Sequence, residues 1–135
     1  MLRCVIDTNI YVSGLQFPRG NPRSLLNRAE VGEFLAFTSA PIQAETERIM
    51  LEKFRWSREE VAFACGKLWR FCEAVQPRVK VKTCDDPDDD KVLECALEAN
   101  ADYIVSGDDD LLRLGFFKGT NIVRARAFLD LLRGQ

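Results

Sequence analysis

Short apolar runs alternate along this sequence with longer stretches in which apolar residues recur every three or four positions. Five runs have the length and composition of β-strands: 2–6, 34–37, 78–82, 103–105 and 121–123. The stretches between and after them predict helices: 10–15, 24–31, 41–54, 57–74, 92–97, 111–114 and 125–132. This alternation predicts an α/β fold, a three-layer α/β/α sandwich with a mostly parallel central sheet.

Two acidic residues directly follow predicted strands. Asp7 comes after the first strand, and Asp108 comes after the strand at 103–105. The functional crevice of an open parallel sheet lies outside the carboxyl ends of its strands, so both side chains should face the same crevice. Either aspartate could instead only cap the helix that begins after it.

Helical spacing adds two further carboxylates. Glu45 shares one helix face with Ile42 and Ile49, so we expect it to project from an apolar stripe, where capping does not explain an acid. Asp89 lies four residues before a leucine of its helix and extends the buried stripe into the first turn. Asp88 and Asp90 then point aside as solvated charge. Four carboxylates are predicted to converge, with a fifth close by: Asp7, Glu45, Asp89 and Asp108, then Asp110.

A cluster that offers only oxygen ligands suits Mg²⁺ or Mn²⁺, and such a cation relieves the repulsion between neighbouring carboxylates. The chemistry that this implies is metal-assisted hydrolysis of a phosphodiester with one or two ions. One ion activates a water, and a second, if bound, stabilises the leaving oxygen. Asn9 could position a water or a phosphate oxygen, or it could only shape its turn.

Composition narrows the possible functions. With 135 residues, 47% of them hydrophobic, the chain is expected to form one domain over 1–135. It contains no histidine, which excludes histidine triads, ligands and general bases. Its five cysteines form no C-x-x-C pair and are expected to be reduced thiols. A net charge of -2 provides no global basic field, so nucleic acid would bind through a local patch or through metal ions.

Charge interrupts the N-terminus at once, and no apolar run approaches the length of a membrane span. We therefore expect a cytoplasmic protein without a signal peptide or a membrane partner.

Four acidic blocks, in the same order along the chain, resemble those of the PIN domain. They are residues 5–9 (VIDTN), 45–50 (ETERIM), 86–94 (DPDDDKVLE) and 101–108 (ADYIVSGD). More closely, the sequence resembles the PIN-family toxins of bacterial and archaeal toxin–antitoxin systems, which are relatives of the VapC toxins. Two further blocks fit this subgroup: 20–23 (GNPR) and 106–112 (SGDDDLL).

This resemblance implies a Mg²⁺- or Mn²⁺-dependent endoribonuclease specific for single-stranded RNA, a homodimer held inactive by a small antitoxin protein. It implies roles for seven residues: acids at Asp7, Glu45, Asp89 and Asp108, a polar companion at Asn9, a small hydroxyl at Ser106 and an accessory acid at Asp110. The subgroup often has asparagine where Asp90 stands. The choice among the three consecutive aspartates therefore stays open, and the helix face favours Asp89.

Two other classes of function stay open. A non-catalytic PIN-like scaffold, whose site has lost its activity, could bind RNA or protein, although the intact set of acids argues against it. A phosphotransfer enzyme or receiver-like switch also uses strand-end aspartates, but it needs a strand-end lysine that neither Asp7 nor Asp108 has beside it. The basic positions 78, 80 and 82 could contact RNA phosphates or only protect an edge strand from aggregation.

Overall fold

The computed structural model describes residues 1–134. Its elements follow in chain order: β1 (Arg3–Ile6), α1 (Thr8–Gln16), α2 (Asn21–Glu30), β2 (Leu35–Thr38), α3 (Ala40–Glu52), α4 (Arg58–Arg70), β3 (Cys72–Ala74), α5 (Pro87–Ala99), β4 (Tyr103–Val105), α6 (Asp109–Leu114), β5 (Phe116–Phe117), β6 (Thr120–Val123) and α7 (Ala125–Arg133). Local signals explain several bounds. Ser57 and Glu60 form the capping box that starts α4, and Asn100 ends α5 in the left-handed conformation with φ 50°.

The strands form one six-stranded sheet in the order β3-β2-β1-β4-β6-β5. All neighbouring pairs are parallel except β5 with β6. The carboxyl ends of β1 and β4, which are adjacent strands, therefore lie at the same edge of the sheet. The predicted mostly parallel α/β architecture is confirmed.

Helices cover both faces of the sheet. On one face, Tyr103 of β4 packs edge-on against Phe128 of α7, with ring centroids 5.5 Å apart, and Tyr11 of α1 is hydrogen-bonded to Cys72 of β3. On the other face, the Arg3 side chain of β1 donates to the carbonyl of Ala99 at the end of α5. These contacts produce the three layers of the predicted sandwich.

The predicted strand at 78–82 is wrong, and so is the end of the helix predicted over 57–74. That helix, α4, ends at Arg70, and the residues after it form β3, which pairs with β2 at the sheet edge. Residues 78–82 are irregular because side chains of α5 accept from two of their backbone N–H groups. Val81 donates to Glu94 at 3.0 Å, and Arg78 donates to Glu98 at 3.1 Å.

Smaller differences concern two ends of the predicted pattern. The short hairpin strand β5 was not predicted, and it turns through Lys118 and Gly119, which both have positive φ as such turns require. The helix α2 begins at Asn21 rather than at 24, because Pro22 suits a first helical turn. None of the helices in residues 1–134 combines the length and apolarity that a membrane crossing requires.

Candidate active site

A cleft of about 350 Å³ opens where β1 and β4 end. Asp7 follows β1, Glu45 lies on α3, Asp89 is in the first turn of α5, and Asp108 stands between β4 and α6. All four carboxylates line this cleft, although they come from four separate parts of the chain. The structure thus brings together the four acids that the sequence pattern selected.

A network of hydrogen bonds holds Asp7 in place at the bottom of the cleft. Its Oδ1 accepts from the backbone N–H of Thr8 at 2.7 Å, and its Oδ2 accepts from Ser106 Oγ at 2.7 Å and from Asn9 Nδ2 at 3.1 Å. Ser106 is fully buried, and its Oγ also accepts from the backbone N–H of Asp108 at 2.9 Å. Asn9 lines the cleft and accepts from the backbone N–H of Gly107 at 3.0 Å. Ser106 and Asn9 therefore connect the end of β1 to the end of β4.

Asp7 and Asp108 also cap helices. Asp7 is the N-cap of α1, and Asp108 is the N-cap of α6, where its Oδ2 accepts from the backbone N–H of Leu111 at 3.0 Å. The capping alternative therefore describes part of what these residues do. It does not compete with a role in the cleft, because both carboxylates face the cleft while they cap.

Three aspartates come close enough to share one cation. Single carboxylate oxygens of Asp89, Asp108 and Asp110 lie within 4.8 Å of one another. Asp89 is buried, Asp108 is half-buried and Asp110 is exposed. Asp110 approaches from a neighbouring depression, where its Oδ1 accepts from Arg113 at 3.0 Å. In the described part of the chain, Asp7 and Glu45 lie outside this close trio.

These residues fit a hard divalent cation. Asp89 Oδ2 is buried, and among the described residues no hydrogen-bond donor reaches it. A buried acceptor without a donor is costly, and more so when it is charged. The trio offers only oxygen ligands, which Mg²⁺ and Mn²⁺ prefer. A bound cation would give Asp89 Oδ2 the partner that residues 1–134 do not supply.

Glu45 lies beside the buried stripe of α3 and not within it, which corrects the prediction from its spacing. The buried positions of α3 are Ile42, Thr46 and Met50, whereas Glu45 and Ile49 are half-buried and line the cleft. The Glu45 side chain faces the cleft without lying among buried apolar residues, because the flank of α3 forms a wall of the cleft.

The pKa values of the cleft acids reflect burial first and the crowding of like charges second. Burial, followed by the charges of Asp108, Asp7 and Asp86, raises the pKa of Asp89 from 3.8 to about 7. Burial, followed by a hydrogen bond and charge repulsion with Asp88, raises the pKa of Glu45 from 4.5 to about 7. Burial also raises the pKa of Asp7, although hydrogen bonds from Ser106, Thr8 and Asn9 oppose the rise.

The two neighbours of Asp89 differ from the prediction and from each other. Asp90 is as buried as Asp89, and its Oδ1 accepts from the backbone N–H groups of Thr83 at 3.0 Å and Cys84 at 2.8 Å. It is therefore not solvated charge, and its contacts fix the loop before α5. Asp88 is exposed, as predicted, but it lines the cleft beside Glu45 instead of pointing away.

The sequence profile of the PIN domain matches residues 3–110 of this chain. The chain belongs to the PIN domain family. PIN domains are generally metal-dependent nucleases, and the acidic cluster at the strand ends agrees with that class of activity.

A relative of this PIN domain is the uncharacterized protein MJ1680 of Methanocaldococcus jannaschii. The two sequences are 27% identical over 117 residues, which cover 84% of this chain and 75% of that protein. Because that relative is itself uncharacterized, the similarity supplies no substrate and no partner.

Asp86, Lys53 and Phe54 are among the residues that line the cleft of this PIN domain but were not selected from the sequence. Asp86 is the N-cap of α5, and Lys53 and Phe54 stand just past the end of α3. A signal for Lys53 was present, because residues 45, 49 and 53 are each four apart on one helical stripe. Phe54 and Asp86 had no such signal, since both lie outside regular helix and their directions depend on local turns.

Proposed function

We propose that this protein is a Mg²⁺- or Mn²⁺-dependent endoribonuclease that hydrolyses phosphodiester bonds of single-stranded RNA. We propose further that it is the toxin of a toxin–antitoxin pair and acts in the cytoplasm as a homodimer. Membership of the PIN domain family supports the nuclease class. The resemblance of the acidic blocks to the PIN-family toxins supports the RNA substrate and the toxin role.

The observation that carries the proposal is the convergence of four carboxylates on one cleft, together with a buried Asp89 oxygen that no donor in the described part of the chain reaches. A purely structural role would leave little reason to bury acids and crowd them so closely that the pKa values of Glu45 and Asp89 both rise to about 7. A site that receives a cation explains both the crowding and the missing donor.

Different residues of the chain would have different roles in such a site. Asp89 and Asp108, with Asp110 beside them, would hold one cation, and Asp7 and Glu45 line the adjoining wall. When bound, a divalent ion would supply charge neutralisation at the phosphate and acidify a water molecule. Ser106 and Asn9 orient Asp7 through its Oδ2, and so act on the reaction as positioning residues.

The proposal is tested by cleavage of end-labelled single-stranded RNA. We expect the wild-type protein to cleave with Mn²⁺ or Mg²⁺ and to stop on addition of EDTA. Asp7→Asn and Asp108→Asn are each expected to reduce cleavage at least about ten-fold, because each removes a negative charge from the cleft that would receive the cation. Asp130→Asn, at an exposed position of α7, is the matched control and should cleave like the wild type.

Two outcomes would contradict the nuclease. Equal cleavage by wild type and both cleft variants would mean that the activity is a contaminant. Absence of cleavage over varied RNAs, together with absence of Mn²⁺ binding by calorimetry, would favour the non-catalytic scaffold.

Ser106→Ala is expected to lower kcat about ten-fold with little change in KM, because Asp7 loses a hydrogen bond that fixes its orientation. Steady-state cleavage kinetics measure this effect. Ser24→Ala, at an exposed position of α2, serves as the control. Ser106→Thr should recover part of kcat, since threonine keeps the hydroxyl. A rise in KM without a fall in kcat would show that Ser106 contacts the substrate instead.

The toxin role has a test separate from catalysis. A small protein encoded beside this chain should copurify with it and suppress RNA cleavage by the wild type. A cleft at the protein surface suits that inhibition, because a chain lying across it would exclude RNA. If instead the purified protein cleaves RNA and little or none of the small protein copurifies with it, a nuclease without an antitoxin is favoured.

A further inference from the structure

One wall of the cleft changes character along α3. Glu45, Ile49 and Lys53 are spaced four residues apart and all line the cleft, so the stripe passes from an acid through an apolar residue to a cation. The helical rise places Lys53 on the order of 12 Å beyond Glu45 along the helix axis. Among residues 1–134, Lys53 is the cation that lines the cleft, and it stands about two helical turns along α3 from Glu45, the acid that faces Asp88 and Asp7.

An exposed aromatic ring stands beside that cation. Phe54 is 39% exposed and lines the cleft, and Lys53 Nζ lies 5.7 Å from the centroid of its ring. Partial exposure of phenylalanine next to a polar cleft leaves an apolar face available to a flat ligand.

The turn that carries Phe54 is fixed by the backbone. The N–H groups of Lys53 and Phe54 both donate to the carbonyl of Ile49, at 2.9 and 3.2 Å, and the N–H of Trp56 donates to the carbonyl of Met50 at 3.0 Å. Arg55 has φ 58°, in the left-handed region that a side chain adopts only where the surroundings impose it. The backbone of this turn therefore directs both side chains to the cleft before any ligand arrives.

Charge shows why a polyanionic substrate needs this end of the cleft. The part of the cleft around Glu45 carries a group of interacting acids that repel phosphates wherever a cation does not neutralise them: Asp7, Asp86, Asp88, Asp89 and Asp108. Affinity for the chain of an RNA on either side of the reacting phosphate must then come from elsewhere. An aromatic face and an ammonium are the two groups that single-strand-binding surfaces combine.

From this geometry we infer that Phe54 stacks on an unpaired base flanking the attacked phosphate, while Lys53 contacts a backbone phosphate of the same strand. The inference rests on the proposed function, since it names the part of the cleft that grips the RNA. It accounts for a preference for single strands, because a base within a duplex is already stacked on both sides. It also makes binding tolerant of sequence, since every base has a π-face.

The test combines a protein variant with a change in one base. A single-stranded RNA with one mapped cleavage site is prepared with each flanking nucleotide in turn made abasic. Phe54→Ala is expected to raise KM for the intact RNA about ten-fold while kcat stays within about two-fold. One abasic position should raise KM equally for the wild type and should add nothing further in Phe54→Ala.

Matched variants separate stacking from structure. Phe63→Ala removes an exposed ring that also has a lysine above it, with Lys67 Nζ 4.9 Å from the centroid, but that does not line the cleft. It should behave like the wild type, and Phe54→Trp should keep the low KM. Lys53→Gln should reduce the slope of log affinity against log salt by about 0.7, the share of one phosphate contact on a single strand.

The outcomes distinguish this inference from the proposed function. In one outcome, the wild type cleaves fully while the increases in KM from the abasic position and from Phe54→Ala simply add. That result would overturn the stacking and leave the nuclease intact. If no RNA is cleaved, fluorescence anisotropy of the same labelled RNAs measures the same comparison on binding. A non-additive penalty there would support the stacking surface while the nuclease fails, and absence of binding would overturn both.

Discussion

Asp89→Ala is expected to lower kcat/KM for RNA cleavage at least about a hundred-fold without lowering the stability of the protein. The substitution removes both oxygens of the carboxylate at the centre of the close trio with Asp108 and Asp110. Loss of outer contacts to a metal ligand typically costs 10–100-fold, and loss of a ligand should cost more. Stability should not fall, because no donor within residues 1–134 reaches the buried Asp89 Oδ2.

Asp90→Ala is the matched control, and we expect the opposite result. Both aspartates are 7% exposed and stand in the first turn of α5, so both substitutions remove the same helix-start charge. Asp90 alone accepts from the backbone N–H groups of Thr83 and Cys84. Its loss should lower the free energy of unfolding by about 2–4 kcal/mol and Tm by about 10 °C. Cleavage measured well below Tm should stay within a few-fold of the wild type.

Thermal unfolding and cleavage kinetics of the two variants together decide which aspartate serves the site. A loss of activity in Asp90→Ala at a temperature where it is fully folded would place the cation elsewhere in the acidic run. A large fall in Tm for Asp89→Ala in the absence of cations would show that its carboxylate has a structural partner.

The sequence pattern located the acids more reliably than it described their surroundings. Asp7 and Asp108 were predictable because a strand-end position in a parallel sheet fixes where a side chain emerges. Glu45 was placed in the cleft for a reason that proved inexact. Its spacing from Ile42 suggested a buried stripe, whereas the buried stripe of α3 runs through Thr46, one position along the helix.

Contacts between segments that lie apart in the sequence explain the structural features that the apolar pattern did not predict. The alternating residues 78–82 have the local signature of a strand, but Glu94 and Glu98 of α5 accept from two of their backbone N–H groups. The edge position went instead to Cys72–Ala74, which the apolar periodicity of α4 had absorbed. Similarly, the burial of Asp90 depends on where a loop 6 or 7 residues earlier in the chain folds back, which no helical period encodes.

Cation binding should couple to pH in a direction that the crowded carboxylates fix. The pKa values of Asp89 and Glu45 rise from 3.8 and 4.5 in their ordinary state to about 7 in the folded protein. Between about pH 4 and pH 7 the folded protein therefore binds more protons than the unfolded chain. Without cations, the contribution of these two groups to stability falls as the pH rises through this window, and their repulsion is fully present above it.

At pH 8, Mn²⁺ at about a hundred times its Kd is therefore expected to add about 2.7 kcal/mol to the free energy of unfolding. That gain corresponds to a rise in Tm of roughly 5–10 °C. At pH 5.5 the rise should be much smaller, because protons on Asp89 and Glu45 compete with the cation. Differential scanning fluorimetry at constant ionic strength measures both shifts, with Asp89→Ala as the variant that should lose the gain at pH 8.

Equal shifts at the two pH values, or an undiminished shift in Asp89→Ala, would mean that Mn²⁺ binds outside the cleft. A shift confined to the wild type at high pH would tie the cation to the carboxylates that the fold gathers at the ends of β1 and β4.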